Sequence, residues 1–307
     1  MPFIASPETA LKPMAIALGN FDGVHRGHQQ VIQPIVERSD SLYKSVVTFS
    51  PHPQEVLTGR KRLLLTPPEE KAEYLARMGI DRLTIVPFDR AIARLSPEDF
   101  VRQILVQSLQ VKVVSVGADF RFGYRRSGNA ADLKAIAARF GIEAISNPLL
   151  QCQEGRISSS EIRAALEEGE LTRARRLLGR PYQLQGKVVR GQQLGRTLGF
   201  PTANLQLPSS KFLPRFGVYS VRAYSSLWGD RRSIPGVTNI GCRPTANGTE
   251  PTVEVHLFDW SGNLYDRHLS IELETFLRPE QKFPSLDALK AQIQTDCTVA
   301  KAKLNIS

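Results

Sequence analysis

Gly19-Asn20-Phe21-Asp22-Gly23-Val24-His25-Arg26-Gly27-His28 is the stretch on which the reading of this chain turns. It follows the apolar run Met14-Ala15-Ile16-Ala17-Leu18 and leads into Gln29-Gln30-Val31-Ile32, where a helix-like pattern begins. A strand that ends in glycines and opens a helix makes a phosphate site. Glycine permits positive φ and close backbone approach, and the free N–H groups of a first helical turn attract anions. His25 and His28 stand three residues apart, which on a helical turn places both imidazoles on one face. The plainer alternative is a glycine turn with two surface histidines. His-x-Gly-His directly after a strand and Phe-Asp-Gly is the rarer pattern, and it argues for a nucleotide.

Working outward, the first 150 residues alternate apolar β-type runs (Met14 to Leu18, Lys44 to Phe49, Leu83 to Pro87, Val111 to Gly117) with helical patterns (Gln29 to Arg38, Pro68 to Met78, Pro97 to Leu109, Ala130 to Phe140). This rhythm predicts a parallel sheet with right-handed crossovers, which binds ligands beyond the carboxyl ends of its strands. Pro34 is awkward inside the first helix, where it removes a hydrogen bond at a cost of about 3 kcal/mol. A second glycine-framed segment, Gly117-Ala118-Asp119-Phe120-Arg121-Phe122-Gly123, leaves the same sheet edge. Its two aromatics can stack on a flat ring or close the core. A third, Ile157-Ser158-Ser159-Ser160-Glu161-Ile162-Arg163, opens a helix with more serines than a cap needs, and hydroxyls with an arginine suit a triphosphate.

A different grammar begins near Gly179-Arg180-Pro181-Tyr182. Short β-rich runs follow at Tyr182 to Val189, Gly217 to Tyr224, Ser233 to Asn239, Thr252 to Phe258 and Leu269 to Thr275, and then one helical stretch, Asp287 to Ala302. Strands at this spacing predict an antiparallel β-barrel with a terminal helix. Gly191-Gln192-Gln193-Leu194-Gly195-Arg196-Thr197-Leu198-Gly199-Phe200-Pro201-Thr202-Ala203-Asn204 supplies spaced glycines, an arginine and a hydroxyl/amide pair. It lacks the Gly-Lys-Thr of a Walker loop. A glycine flap over a nucleotide still works physically, with Thr202 and Asn204 offering hard oxygens to Mg²⁺ from one face of an extended segment. A glycine-rich hairpin is the bland alternative. Glu254 alternates with Val253 and Val255, which puts its carboxylate on the face opposite its β-branched neighbours.

In order and spacing, the three N-terminal segments and Thr48-Phe49-Ser50-Pro51-His52-Pro53 resemble the N-terminal half of the bacterial bifunctional riboflavin kinase/FMN adenylyltransferases, or FAD synthetases. The His-x-Gly-His element is the nucleotidyltransferase signature. Phe200-Pro-Thr-Ala-Asn, Asn239-Ile-Gly-Cys-Arg-Pro-Thr, Val253-Glu-Val-His-Leu-Phe-Asp, Leu264-Tyr and Phe276-Leu-Arg-Pro-Glu-Gln-Lys-Phe follow one another as in the riboflavin kinase half. The resemblance implies a Rossmann-like nucleotidyltransferase domain over residues 1–180 and a six-stranded-type barrel kinase domain over 181–307. It implies ATP contacts at Gly19, Phe21, Asp22, Gly23, His25, His28, Ser160 and Arg163, and flavin contacts at His52, Asp119, Phe120 and Phe122. In the second domain it implies an ATP flap at Gly191, Gly195, Arg196 and Gly199, metal ligands at Thr202 and Asn204, a flavin contact at Arg278 and a catalytic base at Glu254. His25 and His28 are the catalytic pair of the first. ATP, riboflavin and FMN are the implied substrates and Mg²⁺ the implied cofactor.

Composition bounds the remaining choices. The 307 residues exceed what a single core usually serves, so two domains are expected. The net charge of +10 suits an anionic ligand, but residues 1–180 carry 25 Lys/Arg against 20 Asp/Glu and residues 181–307 carry 15 against 10. Neither half has a basic tail, so nucleic acid is not the expected partner. Cys152, Cys242 and Cys297 lack paired metal-ligand spacing and indicate a reducing compartment. With no apolar run of membrane-spanning length, the expectation is a cytoplasmic protein, a monomer or weak homo-oligomer, that does not engage a membrane. Two other classes compete with this reading. One is a single-activity adenylyltransferase or tRNA-ligase relative, which would carry a Lys-Met-Ser-Lys-type loop. The other is a non-catalytic flavin- or nucleic-acid-binding module, which needs neither Thr202 as a ligand nor Glu254 as a base.

Overall fold

The computed structural model describes residues 3–152, 155–191, 194–229, 232–245 and 248–306. Its N-terminal part is built on six parallel strands, β1 (Ile4–Ala5), β2 (Met14–Leu18), β3 (Tyr43–Ser50), β4 (Arg82–Pro87), β5 (Val111–Gly117) and β8 (Glu143–Asn147), in spatial order β1-β4-β3-β2-β5-β8. Two small hairpins accompany it, β6 (Arg121–Phe122) with β7 (Gly128–Asn129), and β9 (Gln151–Cys152) with β10 (Gly155–Arg156). The helices are α1 (Arg26–Val36), α2 (Pro53–Thr58), α3 (Pro68–Arg77), α4 (Arg90–Ala93), α5 (Pro97–Phe100) and α6 (Ala130–Arg139); α5 runs on as a π-helix through Val101–Ser108.

Strand β2 shows why the sheet is central. All five of its residues are buried and they divide by parity: Met14, Ile16 and Leu18 enter one apolar cluster, Ala15 and Ala17 another. A strand covered on both faces belongs inside a parallel sheet. The four expected strands are present to within a residue at each end. The edge strands β1 and β8 carry no such signal, one for its length and the other because it is half exposed. Pro34 lies two residues before the end of α1, so the one bond it removes is that to the Gln30 carbonyl in the turn before it, and a single turn carries the cost.

The C-terminal part comprises α7 (Ser159–Glu168), α8 (Leu171–Leu178), a closed barrel and α10 (Leu286–Lys303). The barrel strands are β11 (Tyr182–Val189), β12 (Ala203–Gln206), β13 (Gly217–Tyr224), β14 (Ser233–Thr245), β15 (Gly248–Leu257) and β16 (His268–Pro279), closing in the order β11-β12-β15-β14-β13-β16 with antiparallel neighbours. A one-turn helix, α9 (Leu194–Thr197), precedes β12. Strand β12, which the expected runs omit, supplies the sixth staff and closes the barrel. Helix α10 packs Cys297, Ala300 and Leu304 on Val218, Val237 and Phe258.

The chain separates into compact units Met1–Ser159 and Ser160–Ser307, ahead of the expected boundary at 180 and 181. The helices α7 and α8 account for the difference. The Arg215 amide donates to the Leu166 carbonyl at 2.8 Å, and Arg175 pairs with Glu274 of β16 at 3.1 Å. Both helices therefore fold onto the barrel.

Candidate functional sites

In the N-terminal unit the Gly19–His25 connection leaves the carboxyl end of β2 with unusual backbone angles. Phe21 has φ 48°, Gly23 φ 90° and Val24 φ 39°. A β-branched residue in the left-handed region is strained and persists where its surroundings over-determine it. They do so here. The Gly23 amide donates to Thr66 Oγ1 at 2.9 Å, the Thr66 amide donates to Asp22 Oδ1 at 3.2 Å, and Ser159 Oγ donates to the Asp22 carbonyl at 2.8 Å. The Asn20 carbonyl accepts from Thr48 Oγ1 at 3.1 Å and from Lys71 Nζ at 2.8 Å. Asp22, 3 % exposed, thus braces the loop.

His25 is the N-cap of α1: its Nδ1 accepts the His28 amide at 3.2 Å. With Nδ1 accepting, the proton of the neutral ring sits on Nε2. The His28 ring stacks on that of His25 with centroids 3.5 Å apart and planes 16° apart, and Phe21 meets His28 edge-on at 5.2 Å. The loop, the capped first turn of α1 and both imidazoles lie together after the carboxyl end of β2.

The second segment divides in its roles. Phe122 is 6 % exposed and its ring touches Phe100, while Phe120, half-buried, stacks on Phe122 with centroids 5.6 Å apart. Phe122 is therefore core and Phe120 is the ring able to meet a flat ligand. Asp119 pairs with Arg156 of β10, a residue that sequence reasoning missed. That pairing balances the charge of the Asp119 carboxylate. His52 caps α2, its Nδ1 accepting the Gln54 amide at 3.1 Å. Of the serine cluster, Ser159 reaches the loop through Asp22, whereas Ser160 and Arg163 begin the second unit, where the Arg163 guanidinium lies 5.5 Å from the Phe212 ring centroid.

In the barrel, Glu254 of β15 lies directly opposite Asn204 of β12 on one side and Asn239 of β14 on the other. Directly opposed residues of antiparallel strands share a face, so the three form one polar row. Thr202 Oγ1 donates to Glu254 Oε2 at 3.4 Å. His256, two residues along the same strand and hence on the same face, bonds the Pro201 carbonyl through Nδ1 at 2.9 Å, and its ring meets Phe200 edge-on at 5.5 Å. Asn239 and His256 stand in the motifs without a role; the register brings Asn239 beside Glu254, and strand alternation puts His256 on the same face. A Cβ at Gly191 would collide with the Asn204 amide, which explains that glycine sterically. The Phe200 amide donates to the Gly195 carbonyl at 2.8 Å, and Gly199 has φ 88°. The Arg196 side chain lies outside the described set, as do Gln192 and Gln193. Arg278 holds Asp296 of α10 with two nitrogens, Nε at 2.9 Å and Nη2 at 2.7 Å, so it ties the terminal helix to β16.

Fold and sites together define a two-unit enzyme of nucleotide chemistry, a nucleotidyltransferase-like parallel sheet joined to a riboflavin-kinase-type barrel. The FAD synthetase family matches residues 8–161 and the riboflavin kinase family matches residues 178–304. The chain is 42% identical over 290 residues to the bifunctional riboflavin kinase/FMN adenylyltransferase of Escherichia coli strain K12, covering 93% of this chain and 91% of that one. It is 41% identical over 300 residues to the protein of the same description from Haemophilus influenzae, covering 96% of each. A solved structure from Streptococcus pneumoniae, described as a macrolide-efflux protein, superposes with a TM-score of 0.85 at 29% identity over 100% of both chains. Among the described residues no helix is long and apolar enough to cross a membrane. The chain belongs to the bifunctional riboflavin kinase/FMN adenylyltransferase family, with the FAD synthetase half first and the riboflavin kinase half second.

Proposed function

We propose that the barrel phosphorylates riboflavin through Glu254 and that the N-terminal unit adenylylates FMN above the His25–His28 pair. In the barrel, Glu254 takes the proton of the terminal ribityl hydroxyl. That oxygen attacks the γ-phosphorus of ATP, and ADP leaves. Thr202, Asn204 and Glu254 offer hard oxygens in one place. They are too few to cage a metal, which suits Mg²⁺, an ion that keeps phosphate oxygens and water in its shell. Thr202 and Asn204 would hold it, and when bound it supplies charge neutralisation to the transferring phosphate.

In the N-terminal unit an FMN phosphate oxygen attacks the α-phosphorus of ATP, the bond to the β-phosphate breaks, and pyrophosphate leaves. The nucleophile is already ionised, so the residues position groups and offset charge. His25, His28 and the loop backbone from Gly19 to Gly23 face the phosphates, Phe120 stacks on the flavin with Phe122 behind it, and Asp119 with Arg156 meets the FMN phosphate. The kinase flap comprises Gly191, Gly195, Arg196 and Gly199. Arg278 acts on the flavin end indirectly, by fixing α10.

The Glu254–Thr202 pair, set apart in sequence from the two histidines, is the observation that carries a two-site reading. We place the protein in the cytoplasm, as a monomer or weak homo-oligomer acting on small molecules and not on nucleic acid or a membrane. The even spread of charge between its halves and its three free thiols support this. The decisive experiment incubates purified protein with riboflavin and ATP·Mg²⁺ and resolves the flavins. FMN followed by FAD is expected, and FMN without FAD, or no conversion of riboflavin, sinks the two-site assignment.

A further inference from the structure

Beneath the histidine loop lies a charge that the reaction scheme does not use. Lys71 belongs to α3 and is 5 % exposed. Its ammonium donates to the Asn20 carbonyl at 2.8 Å, and the nearby Asp22 carboxylate favours its charged form. Burial works against that charge and pushes the amine down to about 8. An ionisable group perturbed by burial and set against a loop of a candidate site is a candidate for a functional role, and its bond to that loop says where the role would be exerted.

A carbonyl needs no lysine to be satisfied, and the Thr48 hydroxyl already donates to Asn20 at 3.1 Å. What the ammonium adds is positive charge in a place where water is excluded, and there charge acts strongly and over distance. It is aimed at the carbonyl of the peptide between Asn20 and Phe21, the residue at φ 48°. A triphosphate arriving over this loop brings several negative charges, so the cost of burying Lys71 is offset when nucleotide is bound and most of all when charge develops on the α-phosphate.

We propose that Lys71 is a positioning residue of adenylyl transfer, which holds the Gly19–His25 loop through Asn20 and Asp22 and sets a buried positive charge beneath the phosphates. The proposal rests on the N-terminal unit being the FMN adenylylation site. Its test uses the full-length protein with Lys71→Met, Lys71→Gln and Lys71→Arg, assayed separately for FAD formation from FMN and for FMN formation from riboflavin, with thermal unfolding of each variant. Lys71→Met and Lys71→Gln should lower kcat for FAD formation by roughly ten- to a hundredfold, because a displaced loop spoils alignment at the reacting atoms. KM for FMN should change by less than about threefold, since the loss falls on the transition state. Lys71→Arg, which keeps the charge, should recover most of the rate, and all three should phosphorylate riboflavin as the wild type does. An adenylylation kcat within about twofold of wild type in either neutral variant overturns the proposal. So does an equal loss in Lys71→Arg and Lys71→Gln with unchanged melting, which would assign the effect to shape and not to charge. Absence of FAD formation by the wild-type chain would instead overturn the site reading itself, and this inference with it.

Discussion

His25 accepts the amide of His28 through Nδ1 at 3.2 Å while the two rings stack 3.5 Å apart. One side chain thus caps the helix and fixes its partner's place at the same time. The two functions can be separated by substitution. Asparagine is a good N-cap, so His25→Asn should hold stability within about 0.5 kcal/mol of wild type while FAD formation falls by about two to three orders of magnitude in kcat. His28→Ala should lose FAD formation equally and leave riboflavin phosphorylation intact. Retention of FAD synthesis by His25→Asn in a folded protein would show that the imidazole is a cap and nothing more.

Glu254 and Thr202 are neighbours with different assignments, and their variants should fail differently. Glu254→Gln keeps shape and polarity but cannot take the proton, so kcat for FMN formation should fall by roughly two to four orders of magnitude with riboflavin binding little changed. Thr202→Ala removes a metal ligand and should raise the Mg²⁺·ATP requirement, with partial rescue by excess Mg²⁺. Both should still convert added FMN to FAD. Near wild-type kcat in Glu254→Gln would remove the general base from the mechanism.

The unit boundary between Ser159 and Ser160 makes a prediction about fragments. Residues 160–307, which keep α7 and α8 with the barrel, should be soluble and phosphorylate riboflavin. Residues 182–307 lack the Arg175–Glu274 pair and the bond from Arg215 to Leu166, and they uncover the barrel surface on which α8 lies. Circular dichroism melting of the two should show the longer fragment more stable, by a few kcal/mol if the buried apolar face of α8 is what is lost. Equal melting would return the boundary to residue 181.

Lys71 also makes a prediction about stability. Its amine is at about 8 in the folded protein against an ordinary 10.5, so between those values the unfolded chain binds more protons than the folded one. Unfolding free energy from this group therefore rises as pH climbs from about 8 to about 10.5, and below that window the folded state bears the full cost, about 3 kcal/mol. Lys71→Met removes the titrating group. Denaturant unfolding of both proteins at about pH 7 and about pH 10 should show any advantage of Lys71→Met shrinking at the higher pH. An advantage independent of pH would place the ammonium in contact with water.

Several features were legible in the chain because they are local. The alternation of apolar strands with helical patterns gave the parallel sheet, and the glycines before His25 and His28 gave a loop that opens a helix. Tyr182–Val189 and Gly217–Tyr224 were bounded correctly from their own residues. Local pattern also set Glu254 on a face of its strand.

What the tertiary structure decided depends on residues distant in sequence. Lys71 and Thr66 reach the loop from α3 and the segment before it, and no spacing rule links them to Asn20 or Asp22. Asn239 and His256 acquire meaning through the register of β14 against β15 and the bond to Pro201. The same holds for Phe122, which packs against Phe100, for Arg278, which holds Asp296 eighteen residues on, and for α8, which lies against β11 and β16 of the barrel. Sequence by itself determines which groups are present and how each segment turns; which of them share a site is set by packing, since a contact between distant residues leaves no periodic trace in either segment.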